Sequence, residues 1–466
     1  MPFTSCLIWL ISIMPSSPVI DGQFNDWQPS SNRDAWSIQS HADANSISLF
    51  LQQPGPPSVF QQLDEPLMIG LDLDEDIDTG CRIDDLGGCD LVFELSPAAK
   101  GRRRGGVTAA SWNSNGFRLK ETPYKYGFVL APSTASRRHE IRIDRANLPH
   151  GQRQLRVVIR PESNKTFEHM ITLPDAGSPR VPGASVPTKR IDSIRVVSWN
   201  IEYGGMLKRP DQVRSILHSL RPDILLLQEI ENTQSIDELK QFLQSIHDGD
   251  EWTLSVNRNT GNLRSAVATR LPAAHVAEFK HVTRSDDADR SIRAAALLID
   301  LGADQKTLAV SIHLKCCGGL NGPEDLARIS ETLSIREAIE TAARTHRPDG
   351  LLIGGDFNLV ASPLPLDILR LDGQRLLGPH ASGPLQDASP LHLDGRDAYT
   401  WYDSDSSFTP GKLDYVLIGG DLKQTASFIL DTSDLDPDQA GDLEPGITQE
   451  ASDHLPIVVD VTVAPE

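Results

Sequence analysis

Residues 194–201 read IRVVSWNI, a run of Ile, Val and Trp that stops on a polar side chain, Asn200. A short, nearly continuous apolar run rich in β-branched residues is the pattern of a strand buried on both faces. An amide at the end of such a run is costly to bury without a partner, so Asn200 needs other polar groups nearby. The same pattern recurs along the chain. DILLLQEI (223–230) ends near Glu229, TLAVSIHL (307–314) carries His313, and GLLIGGDFN (350–358) ends on Asp356 and Asn358. Asp414 lies in KLDYVLIGG (412–420), and Asp453–His454 precede PIVVDVTV (456–463). Helical stretches at Pro210–Leu220, Ser235–His247 and Pro323–Arg344 separate these strands, which predicts a mixed α/β unit.

Carboxylates gathered at one sheet edge would form a hard-cation site of oxygen ligands, suited to Mg²⁺ or Mn²⁺. Two His with several Asp, and no GxSxG nucleophile motif, point to direct attack by water on phosphorus. Taken singly, each residue has a plainer reading. GGDFN is also a glycine turn with an Asx cap, Glu229 a helix cap, His313 a core histidine, and Asp453 part of a strand-entry turn.

Taken in order, SWNIE (198–202), LQE (227–229), SIHLK (311–315), GGDFN (354–358), KLDYV (412–416) and SDH (452–454) resemble the endonuclease/exonuclease/phosphatase superfamily. The resemblance covers residues 191–465 and implies a four-layer α/β/β/α sandwich with its site at one edge of the paired sheets. That group includes pancreatic-type deoxyribonucleases, abasic-site endonucleases, neutral sphingomyelinases and inositol-polyphosphate phosphatases. The resemblance implies one or two Mg²⁺ or Mn²⁺ ions held by Glu229, with Asn200, Glu202 and Asp453 beside it; Glu202 departs from the more usual Asp. It also implies that Asp356 positions or deprotonates water and that Asn358 holds the water and a phosphoryl oxygen. His313 would donate to a phosphoryl oxygen, and His454 would act as general acid or base, oriented by Asp414. Arg290 and Arg293, in DRSIRAAALLID (289–300), are candidate phosphate contacts, with a solvated strand edge as the alternative. Lys315, Cys316 and Cys317 follow His313 closely enough to line the same cleft.

Residues 174–190, PDAGSPRVPGASVPTKR, have the Pro/Gly/Ser composition of a linker. Before it, short alternating segments such as SISLFLQQ (46–53), LMIGLDLD (67–74) and LRVVIRP (155–161) predict an all-β sandwich over residues 18–173. VIDGQFNDW (19–27) together with the loop after residue 69 resembles family-nine carbohydrate-binding modules, which implies a glycan partner. Asp72, Asp74, Asp76 and Asp78 before Gly80 form a candidate Ca²⁺ loop that does not fit the EF-hand spacing. Trp27, Trp36 and Trp112 are read as core, with stacking on a ligand as the alternative. GRRRGG (101–106) reads as an exposed basic hairpin tip.

The formal charge of −20 lies almost wholly after residue 190, where 24 Lys and Arg face 43 Asp and Glu. Such a balance argues against tight, salt-driven binding of long nucleic acid and leaves room for local neutralisation of a phosphate by a cation. Cys6–Met14 is an apolar run of secretory length, too short to span a bilayer, so residues 1–17 are a candidate leader. The expected location is secreted or periplasmic, and otherwise cytoplasmic, with no transmembrane segment. Five cysteines make no disulfide scaffold, although Cys81 and Cys89 bracket a loop that a bridge would staple. The leading expectation is a nuclease-like, metal-dependent phosphodiesterase acting on nucleic acid. A phosphatase or sphingomyelinase-type phospholipase acting on a small or lipid phosphoester is the alternative, and a non-catalytic glycan- or Ca²⁺-binding adhesion protein the third. The loop Asp397–Lys412 is polar except for Tyr399, Trp401, Tyr402 and Phe408, so it is not an obvious apolar membrane hairpin, and those aromatics could equally stack on a base or sugar.

Overall fold

The computed structural model describes residues 17–463 apart from 29–34, 82–85, 99–103, 113–115, 150, 163–164, 176–182, 248, 259–260, 372 and 378–382. The run Cys6–Met14, residues 101–103 of the basic tip at 101–106 and the middle of the 174–190 segment lie outside the described residues.

In the C-terminal unit, one six-stranded sheet runs Thr253–Val256, Leu263–Thr269, Ile224–Glu231, Ile194–Asn200, Ile457–Val463, Leu422–Ile429. The other runs Ala273–His275, Arg293–Asp300, Lys306–His313, Gly350–Asp356, Asp414–Gly420, Gln386–Asp387. Both are mixed: Ile194–Asn200 is parallel to Ile224–Glu231, and Lys306–His313 to Gly350–Asp356, while their other neighbours are antiparallel. Strand side chains alternate between faces. Val196, Ile224, Leu226, Ile457 and Val459 meet Ala295, Leu297, Ala309, Leu352 and Val416 in the layer between the sheets. The residues of opposite parity face outward. Val197, Trp199, Leu225 and Val458 pack under Pro210–Leu220 and Ile236–Gln244, and Val310, Leu351, Ile353 and Leu417 under Pro323–His346 and Leu364–Arg370. Because both faces of each central strand are covered, the strands read as continuous apolar runs. The resulting order of layers is α/β/β/α.

The N-terminal unit is all antiparallel. Ser37–Ala42, Ser46–Gln52, Arg138–Asp144 and Val129–Ala131 form one sheet. The other is Lys165–Thr172, Gln154–Glu162, Leu67–Asp72, Leu91–Leu95, Val107–Trp112 and Arg118–Glu121. Ile47, Leu49 and Leu51 from the first meet Ile69, Leu71, Phe93, Val157 and Ile159 from the second, which is the core of a β-sandwich. Trp27 is buried and donates its indole N–H to Glu140 at 3.0 Å; Trp36 and Trp112 pack half-buried against core clusters.

The two units are joined by more than the 174–190 segment. Ile20 N–H donates to Arg396 O, Val107 N–H to Ser407 O and Ala135 N–H to Ala361 O, at 2.7–2.9 Å. Arg142 is buried against Asp397 in an ion pair, and Arg396 pairs with Asp144 at 3.0 Å. Gly106 sits so close to a loop of the C-terminal unit that a Cβ there would meet Ser407 O at 2.2 Å. The described end of the 174–190 segment is itself docked: Ala184 exchanges backbone bonds with Asp434 and Asp436, and Lys189 pairs with Asp223 at 2.7 Å. No helix among the described residues is long and apolar enough to cross a membrane.

Candidate active site

Strand parity explains why the polar residues converge. Asn200 continues the inward series of Val196 and Ser198, His313 that of Ala309 and Ser311, and Asp356 that of Leu352 and Gly354. Asp414 opens the inward series of Val416 and Ile418. His313, Asp356 and Asp414 are also direct cross-strand partners in register. Glu229 has the opposite parity, and its strand makes a register shift between Leu227 and Ile230. Glu229 itself takes a left-handed backbone, φ 60°. Bulges next to active sites commonly re-aim a side chain in this way. All these residues except Asn200 and Asp414 line one pocket of about 420 Å³ at the sheet ends.

His454 Nδ1 lies 2.7 Å from Asp414 Oδ2, which also accepts from Thr400 Oγ1 at 2.6 Å. That carboxylate fixes the ring with its proton on Nδ1, leaving Nε2 toward the pocket, 3.8 Å from Asp356 Oδ2. Burial alone would lower the His454 pKa, but the charges of Asp414 and Asp356 outweigh it and raise it to about 10. Burial pushes the Asp356 carboxyl up, to about 7, against the opposing pull of His454. Asp356 Oδ1 accepts the Asn358 N–H at 2.8 Å, and Oδ2 accepts the side-chain amides of Asn358 at 3.0 Å and Asn200 at 3.1 Å.

Glu229 is held by the Tyr203 N–H at 2.9 Å and the Asn200 amide at 3.3 Å. Asn200 Oδ1 is taken by the Glu202 N–H at 3.0 Å, so its nitrogen faces the carboxylates where an oxygen ligand was expected. Asp453 accepts the Trp401 indole N–H at 3.0 Å, and Glu202 pairs with Arg209 at 3.1 Å. Burial and then the charges of Asp453 and Glu229 raise the Glu202 pKa, with Arg209 opposing. Three carboxylates repelling one another beside a pocket, with hard oxygen donors, fit a divalent cation such as Mg²⁺ or Mn²⁺. Asp356, Asp414 and His454 also bring ligand atoms within 4.8 Å of one another. Asp414 Oδ2 is already committed to Thr400 and His454, however, so that trio is better suited to holding protons than to holding an ion.

His313 Nε2 stands 3.1 Å from Arg293 Nη1, 3.5 Å from Asp356 Oδ2 and 3.7 Å from Glu229 Oε1, while its Nδ1 is buried without a hydrogen-bond partner. Burial, helped by the Arg293 charge, holds the His313 pKa well below its usual value, and the ring is neutral. Arg293 lines the pocket, whereas Arg290 does not: its side chain is 74% exposed and reaches Asp287 at 3.7 Å. Cys316 and Cys317 line the pocket as free thiols, with Lys315 Nζ 3.7 Å from Cys316 Sγ. Of the loop aromatics, Trp401 and Phe408 reach the pocket, while Tyr399 packs on His392 and Tyr402 on Tyr124.

In the N-terminal loop, Asp72 and Asp74 approach Asp90, not Asp76 and Asp78, as a group of close carboxylates. Asp72 is paired with Arg156 at 3.1 Å, Asp74 accepts from Thr79, and Asp76 accepts the Asp78 N–H, so the loop's own groups already satisfy much of it.

Thr400, Ser452, Arg209 and the sandwich residues Gln61, Gln62 and Ser133 were not legible as site residues. Ser452 Oγ bridges Asn200 O at 2.7 Å and the His454 N–H at 3.0 Å, a link that depends on two strands meeting in space. In SDH (452–454) the serine was the only available signal.

The Endonuclease/Exonuclease/phosphatase family model matches residues 197–454. A curated deoxyribonuclease from Thioalkalivibrio sp. (strain K90mix) is 26% identical over 182 residues, 37% of this chain and 48% of that protein. The chain thus spans about half the length of that relative. Among solved structures, the human Nocturnin catalytic domain with bound sulfate aligns with 59% of this chain and 97% of its own, at 18% identity and a TM-score of 0.40. A 3′ phosphatase, NExo, from Neisseria bound to a product DNA hairpin aligns with 57% and 98%, at 20% identity and a TM-score of 0.37.

Proposed function

The chain belongs to the Endonuclease/Exonuclease/phosphatase family, and on that premise we propose that it is a divalent-metal-dependent phosphodiesterase that hydrolyses its substrate by direct attack of water. The observation that carries this reading is the line Asp414–His454–Asp356, which ends in a pocket that also holds Glu229, Asp453 and Arg293.

Asp356, once unprotonated, takes a proton from a water that the Asn358 amide orients. The water oxygen bonds to phosphorus as the bond to the leaving oxygen breaks. His454 Nε2 and Asp356 Oδ2 are 3.8 Å apart, so both address the same side of the phosphorus. An in-line displacement then turns the departing oxygen away from His454. This refines the general acid/base expectation: the imidazolium, held by Asp414, stabilises negative charge on the attack side and does not protonate the leaving group. Glu229, with Asp453 and Glu202, is the set that would hold the metal; Asn200 would join by turning its amide oxygen toward Glu229. A divalent cation held there would supply positive charge to offset the negative charge that develops on the substrate, and the departing oxygen takes its proton from solvent. Arg293 gives a fork for a phosphoryl oxygen, and its move onto substrate would free His313 Nε2.

The test is a substrate panel of plasmid DNA, RNA, sphingomyelin and bis(p-nitrophenyl) phosphate, each in Mg²⁺, Mn²⁺ and EDTA. Turnover of a phosphodiester that EDTA abolishes is the expected result. No turnover on any substrate with either metal would sink the reading.

A further inference from the structure

The pocket around His454 is not built by the catalytic sandwich alone. Val59, Gln61, Gln62 and Ser133, all from the N-terminal sandwich, line it together with the catalytic residues. Their segments are fixed in place. Gln62 Nε2 donates to Val360 O at 3.2 Å, and Ser133 Oγ donates to Leu359 O at 2.8 Å and Lys412 O at 3.0 Å. Gln61 Oε1 accepts the Thr409 N–H at 2.9 Å, and the Tyr124 hydroxyl donates to Phe408 O at 2.8 Å. This wall therefore belongs to the folded molecule and is not a tethered module that happens to lie nearby.

Two lining atoms are buried without a hydrogen-bond partner: Gln62 Oε1, and Oγ1 of Thr409, a residue only 1% exposed. Buried polar atoms are nearly always satisfied, so an unsatisfied pair on lining residues marks a wall whose polar groups the protein alone does not pair. Apolar and aromatic groups, Val59, Trp401 and Phe408, line the same pocket. A volume of about 420 Å³ suits one small ligand and is far too little for a duplex. A wall that is one end of a β-sandwich cannot follow a minor groove about 6 Å wide. The strong negative charge of the catalytic unit also works against long polyanions.

We propose that the N-terminal sandwich is a wall of the substrate pocket, and that it restricts the enzyme to phosphoesters presented at an end. The substrate is then either a small phosphodiester or the terminal residue of a chain, with Gln62 on the wall beside the group next to the scissile phosphate. This rests on the hydrolase reading above and narrows it. A strand without ends then reaches His454 less readily than one with a free end.

The experiment compares the whole protein, in Mn²⁺, on a dinucleotide, a linear single-stranded DNA and the same sequence as a covalently closed circle. The dinucleotide and linear DNA should be hydrolysed, and the circle at least about tenfold more slowly. Turnover of the dinucleotide with an intact linear strand would assign the site to free small diesters; turnover of both would assign it to chain ends as well. Circular DNA cut as fast as linear would overturn the wall while leaving the hydrolase reading standing. No turnover of any substrate, bis(p-nitrophenyl) phosphate included, would overturn both. Gln62→Ala should raise KM for the dinucleotide about tenfold with kcat within twofold, the loss expected for one hydrogen bond. Phe408→Ala, at the pocket rim, should shift the ratio of circular to linear cleavage upward. Unchanged KM in the first and an unchanged ratio in the second would overturn the proposal.

Discussion

Asp414 and His454 form the most exacting residue-level contact in the site, a 2.7 Å bond buried with Thr400 behind it. The charge of Asp414 is a main reason the His454 pKa is raised, against burial, to about 10. If the imidazolium is the working form, activity should fall as pH rises through that value. It should rise on the acid side as Asp356, held up to about 7 by burial, loses its proton. A bound cation beside Glu229 moves this acid limb to lower pH. Asp414→Asn removes the charge that raises the His454 pKa, so the alkaline limb should move down by about one unit or more, and kcat should fall about 10²- to 10⁴-fold. A pH–rate profile checks this, and an alkaline limb in the same place would contradict it. The Asp–His pairing was readable because KLDYV and SDH stood in order with the other motifs. The Arg293–His313 contact was not, because it depends on register between neighbouring strands.

At the scale of elements, the strand Gly350–Asp356 delivers Asp356, and Gly355 is what lets it pass. Gly355 has φ 145°, and a Cβ there would stand 1.9 Å from Ile312 O on the neighbouring strand. Gly355→Ala should therefore cost about 3 kcal/mol of stability, the range of overpacked or strained backbone sites. It should also lower activity by shifting Asp356, which chemical denaturation and initial rates would measure. Stability within about 0.5 kcal/mol of the parent would contradict this account. The alternation of inward and outward side chains made the strands and their polar ends legible in the sequence. The bulge that re-aims Glu229 was not, since LLLQEI has no glycine or proline to announce it. Nor did composition reveal that residues 183–190 dock on the catalytic unit, because Pro- and Ser-rich segments read as linkers whether or not their backbone finds partners.

At the scale of the molecule, the sequence separates two sandwiches by texture, one alternating and one continuously apolar. It gives no sign that the first closes the pocket of the second. Those contacts pair Gln62, Ser133 and Arg142 with residues more than 200 positions away, and none has a local pattern that marks an interface. The acidic balance of the catalytic unit was legible and has a physical place here: charge that disfavours long nucleic acid is tolerable when substrate enters by its end. The central claim is that Glu229 serves metal binding while His454 serves the chemical step. The direct measurement is the initial rate of bis(p-nitrophenyl) phosphate hydrolysis as Mn²⁺ is titrated into EDTA-stripped parent, Glu229→Ala and His454→Ala proteins. Glu229→Ala should raise the Mn²⁺ concentration for half-maximal rate by about tenfold or more. His454→Ala should keep that concentration within twofold while kcat falls about 10²- to 10⁴-fold. Full activity without metal, or parental kcat in His454→Ala, would contradict the claim.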